Sequence, residues 1–276
     1  MMTERSRRQG ERGVALLIAL LVTTLLMALV VEFAYGTRVS LRAAVNFRDS
    51  QRAYYLARSG VSFAGKILAE NLRNGKLQQN LERRGAECAE PLPFISTGDV
   101  ALRVCWEDEA GKITIARVGK DDADPTYRRL YRLFDVQRVD QSVLPRISEK
   151  AIYSLATDLR KVMPDEEIEK VRDYLTTAPV SLIDVNTASS PVLQSLGISA
   201  SNASMLIEAR GQNPFTDKSR LASTYGLDTT TLGMLDVTSN IFSVQSYATV
   251  GGYTKYAEAV IVREKSKFTI LYWRIV

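Results

Sequence analysis

From Val14 to Val31 the chain carries no charge, and the only polar residues in the run are Thr23 and Thr24. As a helix rising 1.5 Å per residue this run spans about 27 Å, just short of a typical hydrocarbon core. A stretch this apolar must leave water, so it constrains everything attached to it. Arg5, Arg7, Arg8 and Arg12 precede it, against Glu4 and Glu11, and a basic flank stays cytoplasmic. The pattern predicts one membrane-spanning helix, with residues 1–13 as a basic leader and the rest of the chain outside. A cleaved secretory signal has an apolar region of about 7–15 residues ending in small residues spaced A-x-A. Here the end reads Ala28-Leu29-Val30-Val31-Glu32-Phe33 and offers no such pair. Two readings compete with it: an uncleaved anchor, and a cut on the cytoplasmic side of the run.

Composition removes most catalytic chemistry. The 276 residues include no histidine and 2 cysteines, Cys88 and Cys105. Triads that need histidine, and zinc or iron–sulfur sites built on histidine or several cysteines, are excluded. No catalytic residue and no metal ligand is assigned, and no spaced carboxylate pair stands out from ordinary surface acids as a hydrolase would need. The formal net charge of +5 with a pI near 9.1 invites a nucleic-acid reading. Counted by segment, however, the leader gives +2, residues 14–80 +5, 81–140 −2, 141–240 −3 and 241–276 +3. The basic balance therefore belongs to the leader and the stalk that follows the membrane.

Past the membrane, helix-compatible sequence runs without proline to Pro91, with Arg38, Arg42, Arg48, Arg52 and Arg58 among apolar positions. Gly36, Gly60 and Gly65 are points where such a helix can bend or break. Strand-like periodicity then appears in Val100–Trp106 and Lys112–Val118, joined by a short link that suits a hairpin, with a third strand expected within Arg129–Val139. Asn240–Val250, Tyr256–Glu264 and Lys267–Ile275 read as closing strands with hairpin-like connections at Gly251-Gly252 and Lys265-Ser266. Residues 146–236 read almost entirely as short helices. The expected fold is α+β, a sheet region interrupted by a helical insert. Its divisions are 1–13 leader, 14–31 membrane helix, 32–80 stalk helix, 81–140 first β region, 141–238 helical insert and 239–276 closing strands.

Within the insert, Ile183-Asp184-Val185-Asn186-Thr187-Ala188 opens a patterned stretch. Asn186 or Thr187 is expected to cap a helix through Pro191 and Leu196, and Ser199 or Ser201 a second one through Arg210. Pro214-Phe215-Thr216-Asp217 breaks and recaps the chain. The whole resembles a helix-hairpin-helix pair with Leu196-Gly197-Ile198-Ser199 as the hairpin. DNA-binding modules of that kind bring backbone N–H groups to phosphate with basic side chains nearby. Here the second hairpin glycine is Ser199, and residues 186–207 contain no Lys or Arg. No nucleic acid is therefore expected as a partner, and a membrane-anchored DNA-binding protein of a competence apparatus is kept as the alternative reading. Acidic runs at Asp121, Asp122 and Asp124 and at Asp165, Glu166, Glu167 and Glu169 are hard-oxygen candidates for calcium. The second also reads as an ordinary helix start.

Arg12-Gly13 followed by Val14-Ala15-Leu16-Leu17 resembles the class III leader of type IV pilins and type II secretion pseudopilins. That resemblance implies a prepilin peptidase cut between Gly13 and Val14 with N-methylation of Val14. Most members carry glutamate at the fifth mature position, where this chain has Ile18. The missing glutamate, the entry segment Ala53–Gly60, and the Asn-Thr-Ala, Leu-Gly-Ile and Arg…Pro-Phe pattern of the insert are similar to K-type minor pseudopilins. The resemblance implies a long N-terminal helix packed on an antiparallel pilin-like sheet interrupted by a helical insert. It implies a subunit at the tip of the pseudopilus that initiates assembly and helps protein export across the outer membrane. The implied partners are I-, J- and H-type minor pseudopilins, the major pseudopilin, prepilin peptidase, the inner-membrane assembly platform and secreted substrates. The implied location is the bacterial inner membrane, single-pass, with the N-terminus cytoplasmic and the C-terminal domain periplasmic. No cofactor is expected beyond calcium by family analogy, and the Asp-Trp-hydrophobic-Asp segment usual in the insert is missing. Cys88 and Cys105 face an oxidising compartment on this topology. They either bridge a loop of about 18 residues, worth about 3 kcal/mol in the chain-entropy model, or remain buried thiols.

Overall fold

The computed structural model describes residues 3–73, 94–116, 118–148, 159–264 and 267–275. Helix α1 (Thr3–Arg73) is continuous over 71 residues, about 107 Å at 1.5 Å per residue. The bend allowed for at Gly36, Gly60 or Gly65 does not occur; each lies within unbroken helix. From Val14 to Phe47 its side chains are exposed on every side, and burial begins at Asp49. Beyond that point Ala53, Ala57, Val61, Ala64 and Leu68 are buried, a stripe at spacings of three and four that marks one helix face.

That face lies on a five-stranded antiparallel sheet of order β1-β2-β7-β8-β9. The strands are β1 (Ile95–Thr97), β2 (Val100–Asp108), β7 (Ile241–Val250), β8 (Tyr253–Glu264) and β9 (Lys267–Ile275). Their inner face supplies Leu102, Val104, Trp106, Phe242, Val244, Ala248, Ala257, Ala259 and Ile261. Alanine on both sides lets the helix axis come close, and larger side chains fill the ends. The closing strands fall where alternation places them. At the β7–β8 turn, Gly251 (φ 57°) and Gly252 (φ 86°) supply positive φ. Asp49, ion-paired with Arg48 at 2.9 Å, stands 2.5 Å from where a Cβ on Gly251 would lie.

The middle of the chain leaves and rejoins the sheet at one end. Asp108 pairs with Phe242 in the β2–β7 register, and Glu109 N–H donates to Ile241 C=O at 3.0 Å. Between them lie β3 (Ile113–Thr114), α2 (Pro125–Gln137), α3 (Leu144–Ser148), α4 (Asp165–Val171), β4 (Leu175–Thr176) and β5 (Ile183–Asp184). Then follow α5 (Ser190–Ser195), α6 (Ala200–Gln212), α7 (Ser219–Tyr225), α8 (Thr229–Met234) and β6 (Leu235–Asp236). Two short parallel bridges, β3–β4 and β5–β6, tie the helices together.

Two strand expectations fail here. Lys112–Val118 does not form a hairpin with β2; among its described residues Ile113–Thr114 alone is strand, and it pairs in parallel with Leu175–Thr176. Arg129–Val139 is not a strand, because Asp124 accepts from Thr126 N–H at 2.7 Å and Tyr127 N–H at 2.9 Å and so caps α2. Pro125 is at its first turn, where the missing N–H costs nothing. Leu130, Leu133 and Phe134 are its buried residues, at the three-and-four spacing of a helix face. The helical body thus begins before residue 141, drawing in Ile113, Ile115 and all of α2.

Candidate functional site

Two regions carry chemistry. The first is the exposed part of α1. Val14 and Ile18 are 56% and 59% exposed, and the 18-residue window here has a mean hydropathy of 3.0 with none of it buried. Among the described residues nothing packs on this helix, which suits a segment covered by lipid or by other helices. Thr23 and Thr24 donate their hydroxyls to Leu20 and Leu21 carbonyls, both at 2.9 Å, which satisfies them in an apolar medium. Gly13 continues the helical backbone.

The second region joins the helical body to the sheet. Asp108, at the end of β2 and 4% exposed, accepts from Ala110 N–H at 2.8 Å, from Thr187 Oγ1 at 2.6 Å and from Ser239 Oγ. Beside it Asp184 of β5 is 1% exposed and accepts from Asn186 N–H at 2.9 Å. Burial first, then the neighbouring Asp108, pushes the Asp184 carboxyl well above the usual range; Asp236 adds to this, while the Asn186 N–H and Arg210 oppose it. Asn186 donates through Nδ2 to the carbonyls of Phe215 (2.9 Å) and Val237 (3.0 Å), and its Oδ1 accepts from Phe215 N–H at 2.8 Å. Arg210 Nη1 reaches the carbonyls of Val185 at 2.7 Å and Ala188 at 2.6 Å. The Asn-Thr-Ala and Arg…Pro-Phe pattern is therefore a knot of hydrogen bonds that fixes three chain crossings.

This corrects the capping roles. Asn186 and Thr187 are committed to the knot, so Ser189 takes the cap position of α5 without a side-chain hydrogen bond. Ser199 caps α6, accepting from Asn202 N–H at 3.2 Å, and Gly197 (φ 95°) makes the hairpin turn. Arg132 of α2, which the sequence does not place there, comes within 3.1 Å of where a Cβ on Gly197 would lie. Sequence reading also missed the grouping of Asp108 with Asp184 and Asp236; an acid between Ile183 and Val185 was the available signal. The burial of Asp108 and Asp184 and the hydrogen bonds that Asp108 accepts make the group a structural lock.

The calcium candidates do not come together. Asp121 accepts from Ala123 N–H at 3.1 Å, and Asp124 is the α2 cap. Asp165 pairs with Arg160 at 2.9 Å and Glu169 with Arg172 at 3.0 Å, at the start and end of α4. Among the described residues no group of three or more Cys, Asp or Glu is arranged to hold a metal ion. Lys112 sits between Glu107 at 2.8 Å and Glu109 at 3.4 Å. Its burial lowers the pKa, but Glu109 and Glu107 outweigh that and raise it. Cys105 is buried and disulfide-bonded; Cys88, the other cysteine of the chain, lies outside the described residues.

Comparison with known proteins fits this geometry. The family described as type II secretion system, protein K, matches residues 183–244, which span the knot and the return to the sheet. A type II secretion system protein K of Pseudomonas aeruginosa is 25% identical over 252 residues, covering 76% of each chain. The chain resembles the type II secretion protein K family. Its fold is that of a chain in the crystal structure of the GspK-GspI-GspJ complex from enterotoxigenic Escherichia coli. That match has a TM-score of 0.55 at 14% identity and covers 82% of this chain and 99% of the other. The apolar N-terminal helix of this chain is long and apolar enough to be a single-pass membrane anchor, as a pseudopilin would have.

The lock has a testable pH signature. Asp184 is held protonated in the folded state more strongly than in the unfolded chain, where an aspartate titrates near 3.9. Stability is therefore greatest below about pH 4 as far as this group is concerned, and is lost as pH rises through the folded-state pKa. Asp184→Asn keeps the acceptor for Asn186 N–H and cannot ionise. It is expected to be more stable than the parent protein at pH 8, and to flatten the decline in melting temperature between pH 5 and 8. An unchanged pH profile would show that Asp184 is ionised in the fold.

Proposed function

We propose that this protein works by association, as a minor pseudopilin at the tip of the type II secretion pseudopilus. It initiates assembly with I- and J-type partners and helps export proteins across the outer membrane. The observation that carries this reading is the helix itself: apolar and uncovered over Val14–Val31, then packed on the sheet from Ala57 onward. A subunit so built presents one helix for lipid or neighbouring helices and one folded body at its end. Ile18 replaces a carboxylate that would be costly in the bilayer without a partner. Its absence suits a subunit with nothing above it to pair with. The relative whose fold this chain shares is named in a complex with GspI and GspJ, which supports the same class of partner here.

In this reading prepilin peptidase cuts between Gly13 and Val14, and Val14 is N-methylated. The N-terminus is cytoplasmic, and the sheet and helical body are periplasmic, where Cys88 and Cys105 form the bridge. The H-type and major pseudopilins, the assembly platform and exported substrates are the remaining contacts. The DNA-binding alternative is not favoured: residues 186–207 bring no Lys or Arg to the hairpin, and residues 141–240 hold 9 basic against 12 acidic side chains. The test is co-expression with the I- and J-type minor pseudopilins of the same organism, followed by native mass spectrometry in detergent. The expected result is a discrete complex containing this chain, together with loss of export when the chain is deleted. A chain that stays alone, or export that survives deletion, contradicts the proposal.

A further inference from the structure

Between Val31 and Gly60, α1 carries Arg38, Arg42, Arg48, Arg52 and Arg58. Three of them serve the fold. Arg48 and Arg52 reach the buried Asp49 at 2.9 and 3.9 Å, and Arg58 lies over the Trp273 ring, 4.8 Å from its centroid. Arg38 and Arg42 are exposed and meet no carboxylate among the described residues. From Val14 to Arg48 the one acid in the sequence is Glu32, six positions before Arg38 and ten before Arg42. That is outside the spacing of three or four at which helix side chains pair. Arg38 and Arg42 are themselves four apart and share a face. Asp49 lies on the same face two turns further on, packed against the β7–β8 turn at Gly251. Both arginines therefore stand beneath the sheet, between it and the apolar run.

Their height is set by the helix. A run of about 27 Å is shorter than a hydrocarbon core of about 30 Å, so with Val14 at one boundary the core ends near Phe33. Phe33 and Tyr35 are 77% and 66% exposed and fall in the interface, where aromatic rings collect. Arg38 stands about 10 Å and Arg42 about 16 Å beyond Val31. Headgroups extend about 5–7 Å past the core, and arginine reaches an interface on its long apolar stem. Both guanidinium groups are within reach of the phosphate layer, and their forked geometry matches phosphate oxygens.

We propose that Arg38 and Arg42, with Phe33 and Tyr35 below them, form a headgroup site for an anionic phospholipid on the side of the membrane that bears the sheet. The lipid phosphate sits between the two guanidinium groups, and its acyl chains run past Phe33 and Tyr35 into the core. A zwitterionic lipid brings its own cation to the same place and is held less well. The site rests on the membrane-anchor reading proposed above and is independent of which proteins the chain assembles with.

The test uses the full chain carrying Tyr35→Trp as a probe, in vesicles of phosphatidylcholine and phosphatidylglycerol. One lipid at a time is brominated high on its acyl chains. Trp106 and Trp273 belong to the sheet, which meets α1 from Asp49 onward, at least about 27 Å beyond Val31, and stay out of the quencher's reach. At equal mole fraction, quenching by the brominated phosphatidylglycerol is expected to be about twofold stronger. Arg38→Gln combined with Arg42→Gln abolishes that preference at unchanged melting temperature, and the corresponding lysine pair keeps most of it. High salt also removes it. Equal quenching by the two lipids, or a preference that the glutamine pair retains, overturns the proposal. A preference cancelled by inorganic phosphate, but not by chloride at the same ionic strength, marks a site for the free ion and overturns it too. Loss of association with the I- and J-type minor pseudopilins in the glutamine pair, without a lipid preference in the parent, assigns the arginines to an acidic protein instead. In all of these cases the helix still inserts and the association reading stands. A chain that does not enter the vesicles removes the anchor and the site together.

Discussion

Replacing Asn186 with alanine is expected to cost the helical body on the order of 4 kcal/mol, because it removes three buried hydrogen bonds to the backbone at once. The amide side chain satisfies the Phe215 N–H and the carbonyls of Phe215 and Val237, and the residue is 2% exposed. Each buried group left without a partner costs about 1–3 kcal/mol, and water has no ready route to a site enclosed by Val185, Phe215 and Val237. In a chain of this size that loss lowers the melting temperature by about 8–16 °C. Asn186→Asp discriminates the cause. It keeps an acceptor for Phe215 N–H but turns a carboxylate toward two carbonyls, so it also destabilises, and more strongly as pH rises. A cost below about 1 kcal/mol for the alanine variant would mean that the knot does not hold the crossings together.

The second large effect is at Gly60, where α1 crosses the sheet. A Cβ there would stand 2.2 Å from Ser246 Oγ and 2.9 Å from Val104 Cγ2, so Gly60→Leu forces the helix away from β2 and β7. Overpacking of this kind costs about 1–3 kcal/mol, occasionally more, and a leucine is expected at or above the top of that range. Gly60→Ala gains about 1 kcal/mol of helix propensity, which offsets part of its smaller clash. Ser246→Ala removes a buried hydroxyl that has no hydrogen-bond partner among the described residues, and alone it is expected to be neutral or stabilising. The double variant Gly60→Ala, Ser246→Ala then recovers most of what Gly60→Ala loses, a positive coupling measurable by denaturant unfolding. Strict additivity of the two would place the clash elsewhere.

Both positions show what sequence reading reaches and where it stops. The membrane run, the long helix and the three closing strands were legible because each repeats one period over many residues, free of competing signals. Arg129–Val139 is helix where a strand is expected, because the deciding cues, Asp124 and Pro125, lie just before the segment. Lys112–Val118 failed for another reason: its β pairing is with Leu175–Thr176, a partner some sixty positions on, and nothing local announces that. The insert motif was visible as a pattern, but its meaning was not. Asn186 looks like a helix cap in sequence and becomes a knot only when Phe215 and Val237 arrive. Asp108 and Asp184 are 76 positions apart, and only the fold makes them neighbours at the body–sheet junction.

That junction also explains how one chain combines a membrane helix with a helical body. The sheet is seated on α1 through small side chains, and the body is held to the sheet through Asp108 and its donors Ala110, Thr187 and Ser239. The sheet packs directly on α1 from Ala57 to Leu68, and the helical body packs on the end of that sheet.

The most direct measurement is intact mass spectrometry of the protein extracted from membranes. A pseudopilin subunit gives a mature chain that begins at N-methylated Val14 and keeps the whole apolar run. A chain that retains residues 1–13, or one cut after Val31, contradicts the account.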